Sequence, residues 1–507
     1  MKTLEGAKVV TSQEMRRLEK LSIDDGYLSD NYMVQAGFGV AEYVSAFIEK
    51  KQLSKEVILL VGKGDNGGDA YVAGIELLKR GFTVKAFYLY DTKECSELNQ
   101  KYFHKFLENQ GVATLLTEAK QLDFHSKAFI LDGLLGTGFQ GSLTGFLKQV
   151  VEAVNQSGAP IFAIDIPSGL HGTTGVVDGA CIKAEETLYL GFPKVGFFLR
   201  QGYAYIGKLV QIHFGLPKSY EDQAIYSQCL LNEEKIADYL PEIQRARHKY
   251  QRGYVIALAG SCGMAGAANL ACLAALRAGA GIVRLFYPKA MEQELSNSFK
   301  ELIKTCLDPR DSAVIEKELL RAKALLIGPG LGQDAAVQTL FLSLLAKINT
   351  PCVIDADALT PFAKKALIYP KEVILTPHHQ EMLRCLDLEK MDTEEEFFKQ
   401  IQVFVEKKQV TLVLKGAPTR IFCPGKPCLI VPRGDPGMAT AGAGDVLTGI
   451  LAALLAQGLS AREAAALGVY MHARSGELAA LEKTSYSVIA SDLIDKLAEV
   501  FCELQNN

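Results

Sequence analysis

The segment GMATAGAGDVLTG at residues 437–449 places a carboxylate, Asp445, directly behind the small residues Gly442, Ala443 and Gly444. From there Val446, Leu447, Ile450, Leu451, Leu454 and Leu455 recur at helical spacing, which predicts an amphipathic helix with one buried face. A helix start leaves backbone N–H groups unpaired and carries about half a positive charge, and glycines remove side chains that would block approach, so a phosphate fits there. A carboxylate at the first turn repels a phosphate. Asp445 makes chemical sense if it takes a proton from a hydroxyl attacking that phosphate; a plain helix cap is the alternative of equal weight.

A second glycine-rich turn, VGKGDNGGDAYVAG at 61–74, follows a strand-like run and opens a helical one. Its spacing is neither the G-x-G-x-x-G dinucleotide fingerprint nor a Walker loop. One chain thus carries two corners suited to anions. Asp132 and Asp165 each close a strand-like run, which puts them at carboxyl ends of strands, where open parallel sheets hold ligands. Capping of the following loops is the bland reading of both.

The elements that must position these groups alternate. Short β-branched runs at 57–62, 83–90, 128–133 and 160–167 are separated by helical stretches at 70–80 and 143–155, with Gly81 as a C-terminal cap. The pattern lapses over 214–252, where a charged, helix-like stretch at 232–253 intervenes. It resumes with strands expected at 254–260, 282–288, 324–330, 351–359, 372–381 and 411–416, helices lying between them. Two α/β domains result, with a boundary near 220–245.

The 507 residues suffice for at least two cores, and 49% hydrophobic with 22% charged residues is ordinary for a globular chain. A net charge of −4 gives no general attraction to nucleic acid or an anionic membrane, so neither is an expected partner. Eleven cysteines are scattered singly without C-x-x-C or zinc spacing, pointing to reduced thiols and no structural zinc. The first twenty residues lack an apolar signal core, and the most apolar helix, at 447–456, is short of the ~18 residues that span a bilayer. A cytoplasmic location is expected.

The second half carries HKYQRGYVIALAGSCGMAGAANLACLAALRAGAGIVRL, IGPGLG, VIDADAL, LTPHHQE, LKGAPT and GDPGMATAGAGD in that order over roughly 250 residues. This series resembles the ribokinase-like sugar and vitamin kinases and, more closely, the NAD(P)HX dehydratases of the same fold. The resemblance implies that Ala267, Gly332 and His378 line a pocket for a hydrated nicotinamide nucleotide. It gives Lys415, Gly416, Ala417, Pro418 and Thr419, with Gly442 and Gly444, to ADP or ATP and its Mg2+, and Asp445 to the reacting hydroxyl. His378 also has a bland reading as a packed or strand-end histidine. Departures from the family pattern are Gln380 for glycine, Asp435 for asparagine, and Ala441 and Ala443 for glycine and serine, the last two keeping small size.

In the first half, GKGDNGGDAYVAG together with DGLLGTG at 132–138, DIPSGL at 165–170 and TLYLGFPKVG at 187–196 resembles the NAD(P)HX epimerase domain over about 200 residues. The likeness implies potassium (K+) held by Asn66, Asp132 and Ser168 with backbone oxygens of the 136–142 loop. It further implies a phosphate cradle from Asn66, Gly67, Gly68 and Asp69, Asp165 as the acid–base group, and Lys194 as a charge partner. Here Asp65 replaces asparagine, Ala70 glycine, and Val34 glutamate, and Asp65 adds negative charge beside a phosphate site.

End to end, the chain is similar to the fused, bacterial-type NAD(P)H-hydrate repair enzymes. The fold implied is a Rossmann-like three-layer domain at 1–220, a linker at 221–245 and a ribokinase-like three-layer α/β domain at 246–507, in a homo-oligomer. The implied activity is epimerisation of the R and S hydrates by the first domain and nucleotide-dependent dehydration of the S form by the second. A small-alcohol kinase with a non-catalytic N-terminal binding module is the rival reading.

Overall fold

The computed structural model describes residues 3–122, 128–310, 312–347, 349–364 and 372–506. Two units emerge from it: Ala7–Ser227, and Gln228–Asn507 together with Met1–Gly6.

In the first unit the β-branched runs form a seven-stranded sheet in the order Val112–Leu115, Thr83–Tyr88, Glu56–Val61, Phe129–Gly133, Ile161–Ile164, Glu186–Leu190 and Lys208–Ile212. Every pairing is parallel. Alternate residues of one strand face opposite layers. Leu59 and Val61 pack against Val40, Tyr71 and Phe106 of the helices Ser29–Lys51, Asp65–Lys79 and Glu97–Glu108. Ile58 and Leu60 pack against Val150 and Val154 of Gly145–Gln156. The chain winds outward from Glu56–Val61 and returns on its other side at Phe129–Gly133. That pair of strands is the topological switch point, where a crevice opens at the carboxyl ends.

The second sheet runs Glu5–Val9, Gln228–Leu231, Cys428–Val431, Thr419–Phe422, Thr411–Leu414, Val373–Leu375, Cys352–Ile354, Ala324–Ile327, Tyr254–Leu258, Ile282–Tyr287 and Ile303–Cys306. It is parallel from Thr411–Leu414 through Ile303–Cys306, and Thr419–Phe422 pairs antiparallel with both of its neighbours. Its switch point lies between Tyr254–Leu258 and Ala324–Ile327. One face packs on Phe341, Phe362 and Phe397, the other on Ala271, Ile450 and Leu467.

Four sequence expectations are corrected. The helix Ala443–Ala456 is buried all round rather than on one face, with every residue from Val446 to Ala456 inside. It is small enough at Gly449 to lie against the helix Ala265–Arg277, where a Cβ would run into the Ala271 carbonyl oxygen. The charged stretch at 232–253 holds only a 3-10 helix, Glu233–Tyr239, because Pro241 supplies no N–H and disfavours helical backbone at Leu240. Part of the expected 221–245 linker is structural: Gln228–Leu231 pairs in parallel with Cys428–Val431, and Arg433 reaches Glu233 at 2.6 Å. At the other end, Leu4 accepts a hydrogen bond from Asn232 N–H at 2.8 Å, so the chain start lies in the second unit and not the first. No helix among the described residues is long and apolar enough to cross a membrane.

Candidate functional site

In the second unit the strand ends converge on the start of the buried helix. Asp355, directly after Cys352–Ile354, is 1% exposed, and its Oδ1 accepts from Lys415 Nζ at 2.8 Å while its Oδ2 accepts from Thr448 Oγ1 at 2.7 Å. Lys415 follows Thr411–Leu414 and is fixed by its own N–H, which donates to Pro377 O at 2.9 Å. Glu381 Oε2 lies 3.7 Å from the same ammonium. A Cβ built on Gly444 would sit 3.4 Å from Lys415 Nζ, so the cation borders the first turn of Ala443–Ala456. Gly442 caps that helix with φ of 89°, a left-handed backbone that suits glycine, and supplies no side-chain cap. Helix N–H groups, a lysine and bare backbone together make an anion site.

Asp445 sits at this turn without acting as the cap, and no described residue donates a hydrogen bond to its carboxylate. Burial first, then the charge of Asp355, push it up to about 6, against the pull of Lys415. A half-desolvated carboxylate near neutrality suits a general base. Behind it, His472 Nε2 lies 2.9 Å from Ala443 O, and burial lowers this imidazole to about 4, so it stays neutral and donates.

At the switch point Gly330 closes on Ala267, with Cβ positions 3.1 Å apart were a side chain present, and Ser261 Oγ donates to Gly330 O at 2.9 Å. Gly332 N–H donates to Asp357 Oδ2 at 2.9 Å. Ala267 and Gly332 therefore border one loop cluster. His378 is the N-cap of His379–Leu386: its Nδ1 accepts from Gln380 and Glu381 N–H groups at 3.1 and 3.4 Å, leaving the side chain 49% exposed. Gln380 occupies a helical position, where the departure from glycine needs no special backbone. Thr419 Oγ1 donates to Gly416 O at 3.0 Å, shaping the turn 416–419 that follows Lys415.

In the first unit Asp132 is fully buried. Its Oδ1 accepts from Ser168 Oγ at 2.6 Å and Leu134 N–H at 3.2 Å, and its Oδ2 from Ser168 N–H at 2.8 Å. Burial pushes it up to about 6 even so. Asn66 Nδ2 donates to Leu135 O at 3.0 Å, while Asn66 Oδ1 is buried with no hydrogen-bond partner. Gly67 and Gly68 are needed for packing as well: side chains there would overlap Asn99 and Met33. Asp65 turns its carboxylate to Ser96 Oγ at 2.6 Å, which occupies the extra charge with a hydroxyl donor. Val34 is 40% exposed on its helix. Ala70 is buried and packs where a Cβ on Gly133 would otherwise go.

Asp165 carries a left-handed backbone, φ of 62°, directly after Ile161–Ile164. Its Oδ1 accepts from Lys194 Nζ at 2.7 Å and Leu190 N–H at 3.3 Å, and Lys194, 1% exposed, also donates to Leu190 O at 3.1 Å. Asp69 is nearly buried and pushed well above the usual carboxylate range by burial and then by the charges of Asp165, Asp65 and Glu19.

Sequence reasoning missed Asp355, Thr448, Glu381 and His472. Asp355 carried the same signal as Asp132 and Asp165, a carboxylate closing an apolar run, and Thr448 stands one turn beyond Gly444 on the same helix. His472 gave no signal, being one of many residues in a long helix, Ala461–Lys483.

Residues 255–499 match the family model described as NAD(P)H-hydrate dehydratase, and residues 29–196 match that of the YjeF-related protein N-terminus. A bifunctional NAD(P)H-hydrate repair enzyme of Moorella thermoacetica is 33% identical, covering 98% of this chain and 97% of its own. The one from Vibrio cholerae is 32% identical, with 97% of each covered. Among solved structures, a ribokinase-like superfamily protein from Enterococcus faecalis V583 aligns with a TM-score of 0.50 at 27% identity, covering 55% of this chain and 97% of that one. The chain belongs to the family of bifunctional NAD(P)H-hydrate repair enzymes.

Proposed function

We propose that this chain restores hydrated NADH and NADPH, its second unit dehydrating the S hydrate at the expense of a nucleotide and its first unit interconverting the R and S epimers. The observation that carries the dehydratase reading is Asp445, unpaired and shifted toward neutrality, beside an anion corner built from Lys415 and the Gly444 helix start. Asp445 takes the proton of the substrate hydroxyl as its oxygen attacks the terminal phosphorus of ADP or ATP, which arrives as its magnesium complex. An O–P bond forms and the nucleotide's terminal P–O bond breaks. The lone pair of the adjacent ring nitrogen then expels inorganic phosphate, breaking the C–O bond. Loss of a ring proton restores the reduced cofactor. Lys415 and the helix N–H groups neutralise phosphoryl charge, and the turn 416–419 continues the nucleotide site. A single fused chain favours ADP as donor. Ala267, Gly332 and His378 border the hydrated nicotinamide nucleotide.

In the first unit the crevice between Asn66 and Asp165 receives the same substrate, with Asp69 and the helix start of Asp65–Lys79 on its phosphates. Asn66, Asp132, Ser168 and carbonyl oxygens of the 136–142 loop form an oxygen-only donor set, and the partnerless Asn66 Oδ1 fits a hard monovalent cation such as potassium. Potassium held there would supply positive charge beside the substrate. The eleven cysteines are all free, in keeping with a cytoplasmic location.

Product analysis tests the reading. Incubated with S hydrate, magnesium and nucleotide, the protein is expected to release one inorganic phosphate per reduced cofactor formed. Accumulation of a stable phosphorylated alcohol instead identifies a small-alcohol kinase.

A further inference from the structure

The anion corner of the first unit is made of backbone, and its direction is set from outside the glycine loop. Asn99 is 2% exposed on the helix Glu97–Glu108, and its Nδ2 donates to Gly62 O at 2.9 Å and to Gly64 O at 2.8 Å. Ser96 N–H, at the cap of the same helix, donates to Lys63 O at 2.9 Å, so three successive carbonyls of the loop turn toward one helix start. Ser96 Oγ donates to Asp65 Oδ1 at 2.6 Å and draws that carboxylate to the same place. In a trans peptide the N–H points away from the C=O. The N–H groups of Lys63, Gly64 and Asp65 therefore face away from Asn99, and none of them, nor that of Asn66, donates to a described residue. Successive unpaired N–H groups of this kind hold an anion. Gly67 completes the fit: a Cβ there would lie 2.3 Å from Gly62 O and 2.5 Å from Asn99 Nδ2, in the middle of the contact that Asn99 makes.

We propose that Asn99 is a positioning residue of the epimerase: by holding the Gly62 and Gly64 carbonyls it turns the loop's N–H groups onto a phosphate of the dinucleotide substrate, while Ser96 keeps the Asp65 carboxylate off that phosphate. The inference rests on the epimerase reading. An asparagine suits the post because one side-chain amide supplies two donors. Without them the Gly62 carbonyl is left buried and unpaired, and the peptides after Gly62 and Gly64 are free to turn over. A carbonyl oxygen then stands where an N–H stood, and it repels a phosphate. The Asp65 carboxylate, released from Ser96, competes with the phosphate for the same N–H groups.

The consequence is confined to substrates that carry phosphate. Losing an N–H donor to a charged group costs about tenfold or more in affinity. That loss falls on KM, because the phosphate is remote from the hydroxyl-bearing carbon and is held alike before and during the reaction. The hydrate of reduced nicotinamide riboside has the same reacting ring and no phosphate, so it draws nothing from the loop.

The test starts from single purified epimers of hydrated NADH and of the hydrated riboside, and follows appearance of the other epimer with the full-length protein before spontaneous exchange intrudes. Asn99→Ala is expected to raise KM for the NADH hydrate about tenfold or more at nearly unchanged kcat, with kcat/KM for the riboside hydrate as in wild type. An equal fall for both substrates marks a general loss of packing and overturns the proposal, as does an unchanged KM. If Asn99→Ala melts early, or the wild type is too slow on the riboside, Ser96→Ala decides: KM for the NADH hydrate should rise, and Asp65→Asn added to it should bring KM back down. An unmoved KM or a failed recovery overturns the proposal. A wild type that leaves the single NADH-hydrate epimer untouched overturns the epimerase reading and this role with it.

Discussion

Lys415 Nζ stands 2.8 Å from Asp355 Oδ1, and Asp355, almost wholly buried, spends its other oxygen on Thr448. The lysine proposed to meet the nucleotide phosphates is therefore held by a buried carboxylate. Removing one partner of such a pair leaves an uncompensated buried charge. Lys415→Met should cost about 3–5 kcal/mol of stability and raise the KM for nucleotide. Adding Asp355→Asn should return much of the stability and none of the activity, as denaturant melts and steady-state kinetics on the same preparations will show.

Asp445 must be ionised to accept a proton. With its carboxyl raised to about 6, dehydration should fall as pH drops through about 6 and level off above it. Asp445→Asn should lose ~10²–10⁴ in kcat while still binding nucleotide. A pH–rate profile with titration of nucleotide binding checks both.

His472 is partly buried and neutral, desolvation depressing its imidazole to about 4, below its ordinary 6.5. A depressed group contributes stability that is present above 6.5 and lost as pH falls toward 4. The melting temperature should decline across that window, and His472→Gln, which can still donate to Ala443 O, should flatten the decline.

Asp435 accepts from Gly437 N–H at 2.7 Å and from Ser485 Oγ at 3.0 Å, tying the segment after Ala461–Lys483 to the loop that leads into Ala443–Ala456. An asparagine can accept the first and donate to the second, so Asp435→Asn should shift stability by less than about 0.5 kcal/mol. Asp435→Ala should cost about 1 kcal/mol and weaken nucleotide binding, measured by calorimetry.

Where local pattern and tertiary role coincided, the chain could be read directly. Asp132 and Asp165 close apolar runs and stand at the carboxyl ends of parallel strands, and Gly442 to Asp445 open a helix. The short strands Gln228–Leu231 and Cys428–Val431 escaped notice because four residues carry too little periodicity, and only their pairing defines them. Ala443–Ala456 looked one-sided because its alanines and Gly449 read as a second face; packing against Ala265–Arg277 makes them core. Asp65 looked like a defect until Ser96, distant in sequence, supplied its donor.

The most direct measurement is recovery of reduced-nicotinamide absorbance from mixed R and S hydrates, with magnesium and ADP or ATP, read before spontaneous epimerisation intrudes. Wild type should recover the full amount, Asp445→Asn none, and Asp165→Asn should stall near the S fraction. No recovery by wild type with nucleotide bound, or full rapid recovery by Asp165→Asn, would contradict the account.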